Sequence, residues 1–528
     1  MNSELADGLG QDASRVWIPD LVERIARHLP PNELPCTLRL VDKATAALFS
    51  GPHHTTVRLS QPVPHHAFAF VWGQPGATRP LTFTQRQQLL CLTAATGVAP
   101  NLELLLSHPD NVLSPAAMEA AASAGQLATC LRLHQAGCPW GDALQEAAGA
   151  GHQSACEGLL AAGCPWSWGA VSSAARGGHL ALTGAMARHF PHRPGFVERG
   201  EILLGVVHGC DLAALQHFYG RWRALPSSRL ALDGYARLHF DEQLLPTAAG
   251  SPTPDWQAKV EWLEGVGCAR SVAACSAAAA CPDAAARLAW LRGRGYPVDG
   301  GTAVRVCAAG DVAALRYLLA EGVRPTEEAA TEAAGGGHLA ALQALHAAGC
   351  PVSPLDVACA AAEGDHLAAV AWAVEAFGAA VTLGRKLFAS AAKSGSVELM
   401  AWLRERGCPW DASAVVSAAT AGSAPALEWL AERGCPMGAD GQAFVAAARN
   451  GDLQTLACLR RLGCPWGPSG EVFGRSLKGG CPLSVLRALA EAGCPVDWRA
   501  AAKAAREASK GGVEGTAAQR RMSGKVIR

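Results

Sequence analysis

The sequence predicts an all-α chain: a solenoid of helical pairs behind a small helical module. Three observations carry this. Gly-Cys-Pro triplets recur at Cys138, Cys164, Cys350, Cys408, Cys435, Cys464 and Cys494, with 26 to 30 residues between neighbours where the series is unbroken. Such a period marks stacked repeats. Apolar residues make up 50% of the chain but aromatics only 6%, so the excess is small side chains, chiefly Ala. Residues 16–50 show helical spacing without the repeat.

Taken in chain order, residues 1–15 are acidic at the start, lack the basic and apolar regions of a signal peptide, and are expected to be disordered. In the next segment Pro19 suits the first turn of a helix, and Leu21, Val22, Ile25 and Leu29 follow on one face. Pro30-Pro31 ends that helix, and Leu38, Val41 and Leu48 begin another apolar face. So few residues make too little core to stand comfortably alone, so the module is expected to dock on something. Residues 51–82 read as a linker with paired His (His53-His54, His65-His66) and a short strand over 68–72.

From residue 83 to 496 the repeats number about fourteen, irregular over 190–256, where Pro191-His192-Arg193-Pro194 and Gly250-Ser251-Pro252-Thr253-Pro254 mark loops or an insertion. One unit shows the physics. Leu387-Phe388-Ala389-Ser390-Ala391-Ala392 is a short helix. Leu399, Trp402 and Leu403 form the stripe of a second one. Gly407 caps that helix in the left-handed conformation, and Pro409 forbids its continuation. Neither helix is stable alone at this length, whereas stacked pairs bury a continuous core. Residues 497–528 form a basic, partly disordered tail; from residue 499 on it holds eight Lys or Arg against two Asp or Glu.

The repeat resembles the ankyrin repeat. Gly178-His179-Leu180, Gly337-His338-Leu339 and Asp365-His366-Leu367 carry the turn between helices, and the second helix ends in Gly plus a small residue. The resemblance implies a helical-pair stack that binds proteins, with stubby fingers because the period is short. The N-terminal segment resembles an F-box through Ile18-Pro19, Ile25, Leu29, Glu33-Leu34 and Val41-Asp42-Lys43, although Asp42 and Thr45 depart from its pattern. That resemblance implies docking to the Skp-type adaptor of a cullin–RING ubiquitin ligase. Pro19, Leu21, Ile25, Leu29 and Leu34 would bear on the adaptor, and the repeats would hold a target protein. A second reading keeps residues 16–50 as a helical cap on a scaffold unconnected to ubiquitin.

Nineteen Cys with no secretory signal argue for reduced thiols, hence the cytoplasm or nucleus. One Cys per repeat and no Cys-x2-Cys argue against a metal site, so each is expected to be a small buried apolar residue. The turn His residues are expected to satisfy backbone groups. Trp262, Trp290, Trp402 and Trp429, five residues before the capping Gly, are expected in the core. Trp140, Trp166, Trp410 and Trp466, just after Gly-Cys-Pro, admit two readings, gap-fillers or a stripe of aromatic contacts for a partner. No catalytic motif was found, so no enzyme activity and no cofactor are expected. With 45 cationic and 45 anionic residues the net charge is zero, from which no nucleic-acid partner is expected. No apolar stretch is long enough to span a membrane, so no membrane partner is expected either.

Overall fold

The computed structural model describes residues 18–108, 113–189, 194–223, 231–468 and 470–503. Residues 1–15, the Pro191-His192-Arg193 loop marker and the basic tail beyond residue 503 lie outside the described residues. Every regular element described is helical, and none is long and apolar enough to cross a membrane. The chain forms two compact units, residues 1–78 with 85–166 and residues 79–84 with 167–528.

Among the described residues fourteen helical pairs follow one another in sequence, from Phe83–Thr96 with Ala99–Leu106 to Glu471–Lys478 with Leu483–Glu491, three in the first unit and eleven in the second. The fold is a helical-repeat solenoid, and its two kinds of helix divide the labour. First helices pack on first helices, as Arg385–Ser394 does on Pro354–Glu363 and on Ala412–Ala421. Their contact residues are small: Ala361, Ala362, Ala391, Ala392, Ala418 and Ala419 are fully buried. Missing bulk lets backbones approach, most closely at Gly209, where an added Cβ would fall 2.0 Å from the Arg176 carbonyl oxygen. Second helices supply the volume, with Leu399, Leu403, Leu427 and Leu430 buried against the first layer.

The Gly-Cys-Pro triplet closes each pair by a specific bonding pattern. The Gly407 N–H donates to the Arg404 carbonyl (2.9 Å) and the Cys408 N–H to the Leu403 carbonyl (3.0 Å). This is a Schellman cap, whose residue after the glycine is normally apolar and packs back on the helix. Gly407 has φ of 76°, and a Cβ there would meet nothing within 4 Å, so the backbone angle alone demands glycine. Where Gly295-Tyr296-Pro297 and Gly322-Val323-Arg324 stand in place of Gly-Cys-Pro the bond is kept: Tyr296 N–H donates to the Leu291 carbonyl (3.1 Å) and Val323 N–H to that of Leu318 (3.0 Å). Cys is thus the apolar cap residue. Its thiol also faces the start of the first helix of its own pair: Cys138 Sγ lies 3.3 Å from the Ser114 carbonyl oxygen, Cys408 Sγ 3.4 Å from that of Gly384, and Cys435 Sγ 3.5 Å from that of Asp411.

The stretch 190–256 carries longer helices, Phe196–Gly209, Leu212–Arg223 and Ala231–Ala249, the last with Pro246 inside it.

Ahead of the repeats, Pro19–Ala26, Glu33–Cys36 and Lys43–Leu48 enclose a small core of Val22, Leu34, Leu38 and Phe49. Ile18 precedes Pro19 in extended conformation, and Asp42 caps Lys43–Leu48 by accepting from the Thr45 N–H at 2.7 Å. The stretch expected to be a linker is structured. Buried Asn32 donates through Nδ2 to the carbonyls of Arg58, Gln61 and Pro62 and accepts from the Arg58 N–H. Residues 68–72 are not a strand but part of the helix His65–Trp72. The alternating Ala-Phe-Ala-Phe pattern suggested period two. In the helix Phe68 is buried, while Phe70, which would share its face in a strand, is 84% exposed.

Candidate functional site

The first candidate surface belongs to the N-terminal module. Val22 points into its core and Ala26 packs against it, while Pro19, Asp20, Arg24 and Ile25 are left to the outside. Pro19 and Ile25 are exposed, Leu21 and Leu29 half-buried. Ile18, Leu40 and Val41 are exposed as well, Leu40 by 74%. Leu34 requires a correction: it was expected to bear on a partner but is 7% exposed, inside the module's own core. It can influence docking only by holding the helices together.

A cleft of about 420 Å³ opens on this module, floored by Leu29, Leu48 and Phe49 and rimmed by Glu23, Arg27 and the His53-His54 pair. The His53 and His54 rings lie 3.8 Å apart. Burial, then the charges of His53 and Arg39, hold His54 below the ordinary histidine range. The other pair is engaged elsewhere. His65 Nδ1 meets Asn101 Oδ1 at 2.9 Å, and His66 Nε2 meets the Cys36 carbonyl at 3.0 Å. Among the described residues no group of three or more His, Cys, Asp or Glu is placed to hold a metal ion.

The Trp residues after Gly-Cys-Pro are half-buried and lie against side chains of their own surroundings. Trp140 stacks on His134 at 3.9 Å and Trp466 on Phe444 at 3.7 Å. Trp410 meets Phe388 edge-on at 5.4 Å and has the Arg404 guanidinium 4.0 Å above its ring. Trp166 is half-buried just after Cys164. Trp429 is buried and Trp262, Trp290 and Trp402 are partly buried against the core. Arginines cover three of these rings: Arg294 over Trp290 (4.9 Å), Arg406 over Trp402 (3.7 Å) and Arg433 over Trp429 (4.4 Å). Guanidinium and ring attract through the ring quadrupole.

The turn histidines tie each pair to the one before it. The Nε2 atoms of His152, His338 and His366 lie 3.0, 3.1 and 3.0 Å from the carbonyl oxygens of Ser123, Ala308 and Gly335.

A buried polar knot was missed entirely in the sequence. Lys259 is fully buried, and its Nζ donates to the Val207 carbonyl (2.9 Å) and to Ser251 Oγ (3.0 Å), with Asp255 Oδ1 3.9 Å away. Arg287 donates through Nη1 to the carbonyls of Ala249 and Ser251 and lies over Trp256. Burial pulls the Lys259 ammonium below the ordinary lysine value, and the Asp255 carboxylate opposes that. Lys259 is spent on the Val207 carbonyl and the Ser251 hydroxyl, and Arg287 on the backbone carbonyls of Ala249 and Ser251, so both buried cations pin the 249–255 loop. The only cue was Gly250-Ser251-Pro252, a turn too long for the repeat. The thiols are similarly inert. Burial pushes those of Cys138, Cys408, Cys435, Cys464 and Cys494 up to about 11.

No protein-family model matches the chain, and no curated protein matches it. Solved structures do. One is the pentatricopeptide repeat protein PPR10 in complex with an 18-nt psaJ RNA element, and another is a triple Cys-to-Ser form of it with the same RNA. Each is 13% identical, over 98% of this chain and 89% of the other, with a TM-score of 0.25. The expectation that nucleic acid is excluded as a partner is corrected here. These similar chains are RNA complexes, and a zero net charge sums the whole surface without describing any one part of it. At this TM-score the likeness carries no argument about what this chain itself binds.

Proposed function

We propose that this chain is a non-enzymatic receptor subunit with ankyrin-type repeats. Its N-terminal module docks on the Skp-type adaptor of a cullin–RING ubiquitin ligase, and its repeats hold a target protein for the ligase's other subunits. The observation that carries this reading is the distribution of exposed apolar side chains. Thirteen large hydrophobic residues are exposed among the described residues, and eight of them fall between Ile18 and Val71. A folded surface that leaves so many uncovered in so short a stretch is a surface for a partner. Ile18, Pro19, Leu21, Ile25, Leu40 and Val41 are the contacts, and the buried Leu34 supports them from behind. The free thiols suit a reducing compartment, cytoplasm or nucleus.

The test is co-purification of the full chain with the adaptor. Ile25→Asp and Leu40→Asp are expected to lose the adaptor while keeping the wild-type melting temperature, because both side chains already face water. An adaptor that still co-purifies with both variants would place docking elsewhere. A wild-type chain that never binds it would leave a repeat scaffold with a helical cap and end the ubiquitin reading.

A further inference from the structure

The glycine in the turn between paired helices is covered by a side chain from the following turn. An added Cβ at Gly97, Gly125, Gly310 or Gly337 would run into one residue only, Gln126, His152, His338 or His366 respectively. At Gly395 and Gly422 the corresponding side chains are short, Ser423 and Asp452, and the cover is shared. A Cβ at Gly395 would lie 2.9 Å from Ser423 Cβ and 2.9 Å from Thr82 Cγ2. A Cβ at Gly422 would lie 2.5 Å from Asp452 Oδ2 and 2.5 Å from Phe83 Cβ.

Thr82 and Phe83 belong to a stretch that is remote in sequence. Residues 79–84 are part of the second compact unit, whose body begins at residue 167. The same stretch brings a cation. Arg79 donates through Nη2 to Glu428 Oε1, on the helix Ala424–Glu432, across 349 residues of chain. Arg461 Nη2 donates to the same oxygen and holds the carboxylate from the other side. Burial would raise the Glu428 carboxyl, and the two guanidiniums keep it below its ordinary value instead. Residues 79–82 are neither helix nor strand; Arg79 and Pro80 are exposed, and Leu81, Thr82 and Phe83 are half-buried. The stretch therefore lies on the repeats as a guest on a surface, with its cation on Glu428 and its next side chains over the two turns.

We infer that Glu428 and the turns at Gly395 and Gly422 form a docking site for a short irregular segment of a target protein, an arginine followed three and four residues later by Thr and an apolar residue, and that residues 79–84 are the chain's own copy, seated there until such a segment replaces it. Glu428 takes the guanidinium through a charge-assisted bond. The space over Gly395 takes the Thr methyl, and that over Gly422 takes the apolar residue. Four other turns fill this space with a ring or amide of their own, whereas Ser423 and Asp452 leave room for a guest. The tethered copy competes at an effective concentration on the order of millimolar, so a segment with no further contact to the repeats is turned away. The device selects targets that bring both the segment and a second contact. This inference rests on the reading of the repeats as a protein-binding scaffold and not on adaptor docking.

The experiment uses the full chain and a fluorescein-labelled peptide with the sequence of residues 77–86, followed by anisotropy. Arg79→Ala weakens the chain's own copy, so this variant should bind the peptide roughly tenfold more tightly than wild type, the change expected for one bond between charged groups. A peptide with Ala for its Arg should bind the same variant roughly tenfold more weakly or worse. Adding Glu428→Ala to Arg79→Ala should remove the binding. Adding Ser423→His instead should remove it as well, by building over Gly395 the ring that His366 places over Gly337. Equal binding by wild type and Arg79→Ala, or binding by neither, would overturn the inference, as would binding that survives Glu428→Ala. So would a melting temperature lowered by more than about 5 °C in Arg79→Ala, since residues 79–84 would then be a fixed part of the stack and not a replaceable guest. Adaptor co-purification of Glu428→Ala should match wild type, so failure here and failure of the docking reading are told apart.

Discussion

The N-terminal module and the repeats treat apolar side chains in opposite ways. Within each compact unit the repeats hide their Leu, Ala and Cys against neighbouring pairs. The module has a core of four large residues and leaves Ile18, Ile25, Leu40 and Val41 outside. The contrast follows from architecture. A repeat has two neighbours of its own kind to cover both flanks, so its surface can be polar. A module of short helices has none, and it either exposes apolar area or borrows a cover. The cysteines do not share the contrast: Cys36 of the module is buried, as are the cap thiols of Cys138, Cys164, Cys408, Cys435, Cys464 and Cys494.

The largest effect that tests this difference is alkaline pH. Burial holds the repeat thiols well above their ordinary value of 9.0, up to about 11 at Cys138, Cys156, Cys408, Cys435, Cys464 and Cys494 and about 12 at Cys307. A group raised on folding contributes stability that is fully present below its unfolded value and lost as pH climbs through its folded one. The loss therefore starts near pH 9 and completes near pH 11, at on the order of 2 kcal/mol for each such thiol. Lys259 runs the other way. Its ammonium is held below the ordinary 10.5, so its burial cost eases as pH rises toward 10.5. One lysine does not offset so many thiols. The urea midpoint of the repeats, followed by tryptophan fluorescence, should fall by several kcal/mol equivalents between pH 8 and pH 10.5. An unchanged midpoint would mean that the thiols are not buried as described.

Second comes the contrast inside the module. Leu34→Ala should cost roughly 2–4 kcal/mol by opening a cavity in its small core. Ile25→Ala should stay within about 0.5 kcal/mol, as other exposed substitutions do. Chemical denaturation with a probe near Trp72 separates them. Equal costs would erase the distinction between core and docking face on which the proposed function depends.

Much of this could be seen in the residues beforehand. Gly407 and Pro409 announced the end of the second helix because each has a nearly unique backbone conformation. The Ala runs announced close packing because they have little else to offer. The role of Cys408 was harder to see. Burial could be expected from its chemistry, but its place in a Schellman cap needs the Leu403 carbonyl in three dimensions. The Ala-Phe-Ala-Phe run at 67–70 misled because alternation signals a strand only when both faces have a known environment, and the helix buries Phe68 alone. Lys259 and Arg287 gave no signal, since a charged residue in a helix reads as surface until its partners, carbonyls up to 52 residues away, are placed. The exposed apolar face of the module was partly legible: Ile25 and Pro19 stood out by pattern, whereas Leu34, expected beside them, lies on the inner side.

Third, the two kinds of glycine should respond differently to the same change. Gly209→Ala drives a methyl into the Arg176 carbonyl oxygen between two first helices, and backbone must move. Overpacking of this kind costs typically 1–3 kcal/mol or more. Gly407→Ala meets no atom and costs only the left-handed backbone, about 1–2 kcal/mol. Melting curves of the two variants should place Gly209→Ala lower, and the reverse order would show that caps, not the close first layer, limit the stack.

The smallest effect concerns the ties between pairs. Removing the ring in His366→Ala takes away one bond to the Gly335 carbonyl, at an exposed turn where water can replace it. The expected cost is about 0.5–1 kcal/mol, near the lower end for a single hydrogen bond. The ring is also the nearest side chain to the space above Gly337, where an added Cβ would come 2.6 Å from its Cε1 and Nδ1. The ring therefore packs on the turn as well as bonding to it. His366→Asn keeps a donor of shorter reach and loses the packing, so comparing it with Ala in urea separates the two contributions. If Asn restores wild-type stability, the bond is the tie between pairs. If Asn and Ala are equal, the flat ring filling the turn is what joins one repeat to the next, and the turn histidines are side chains chosen for volume.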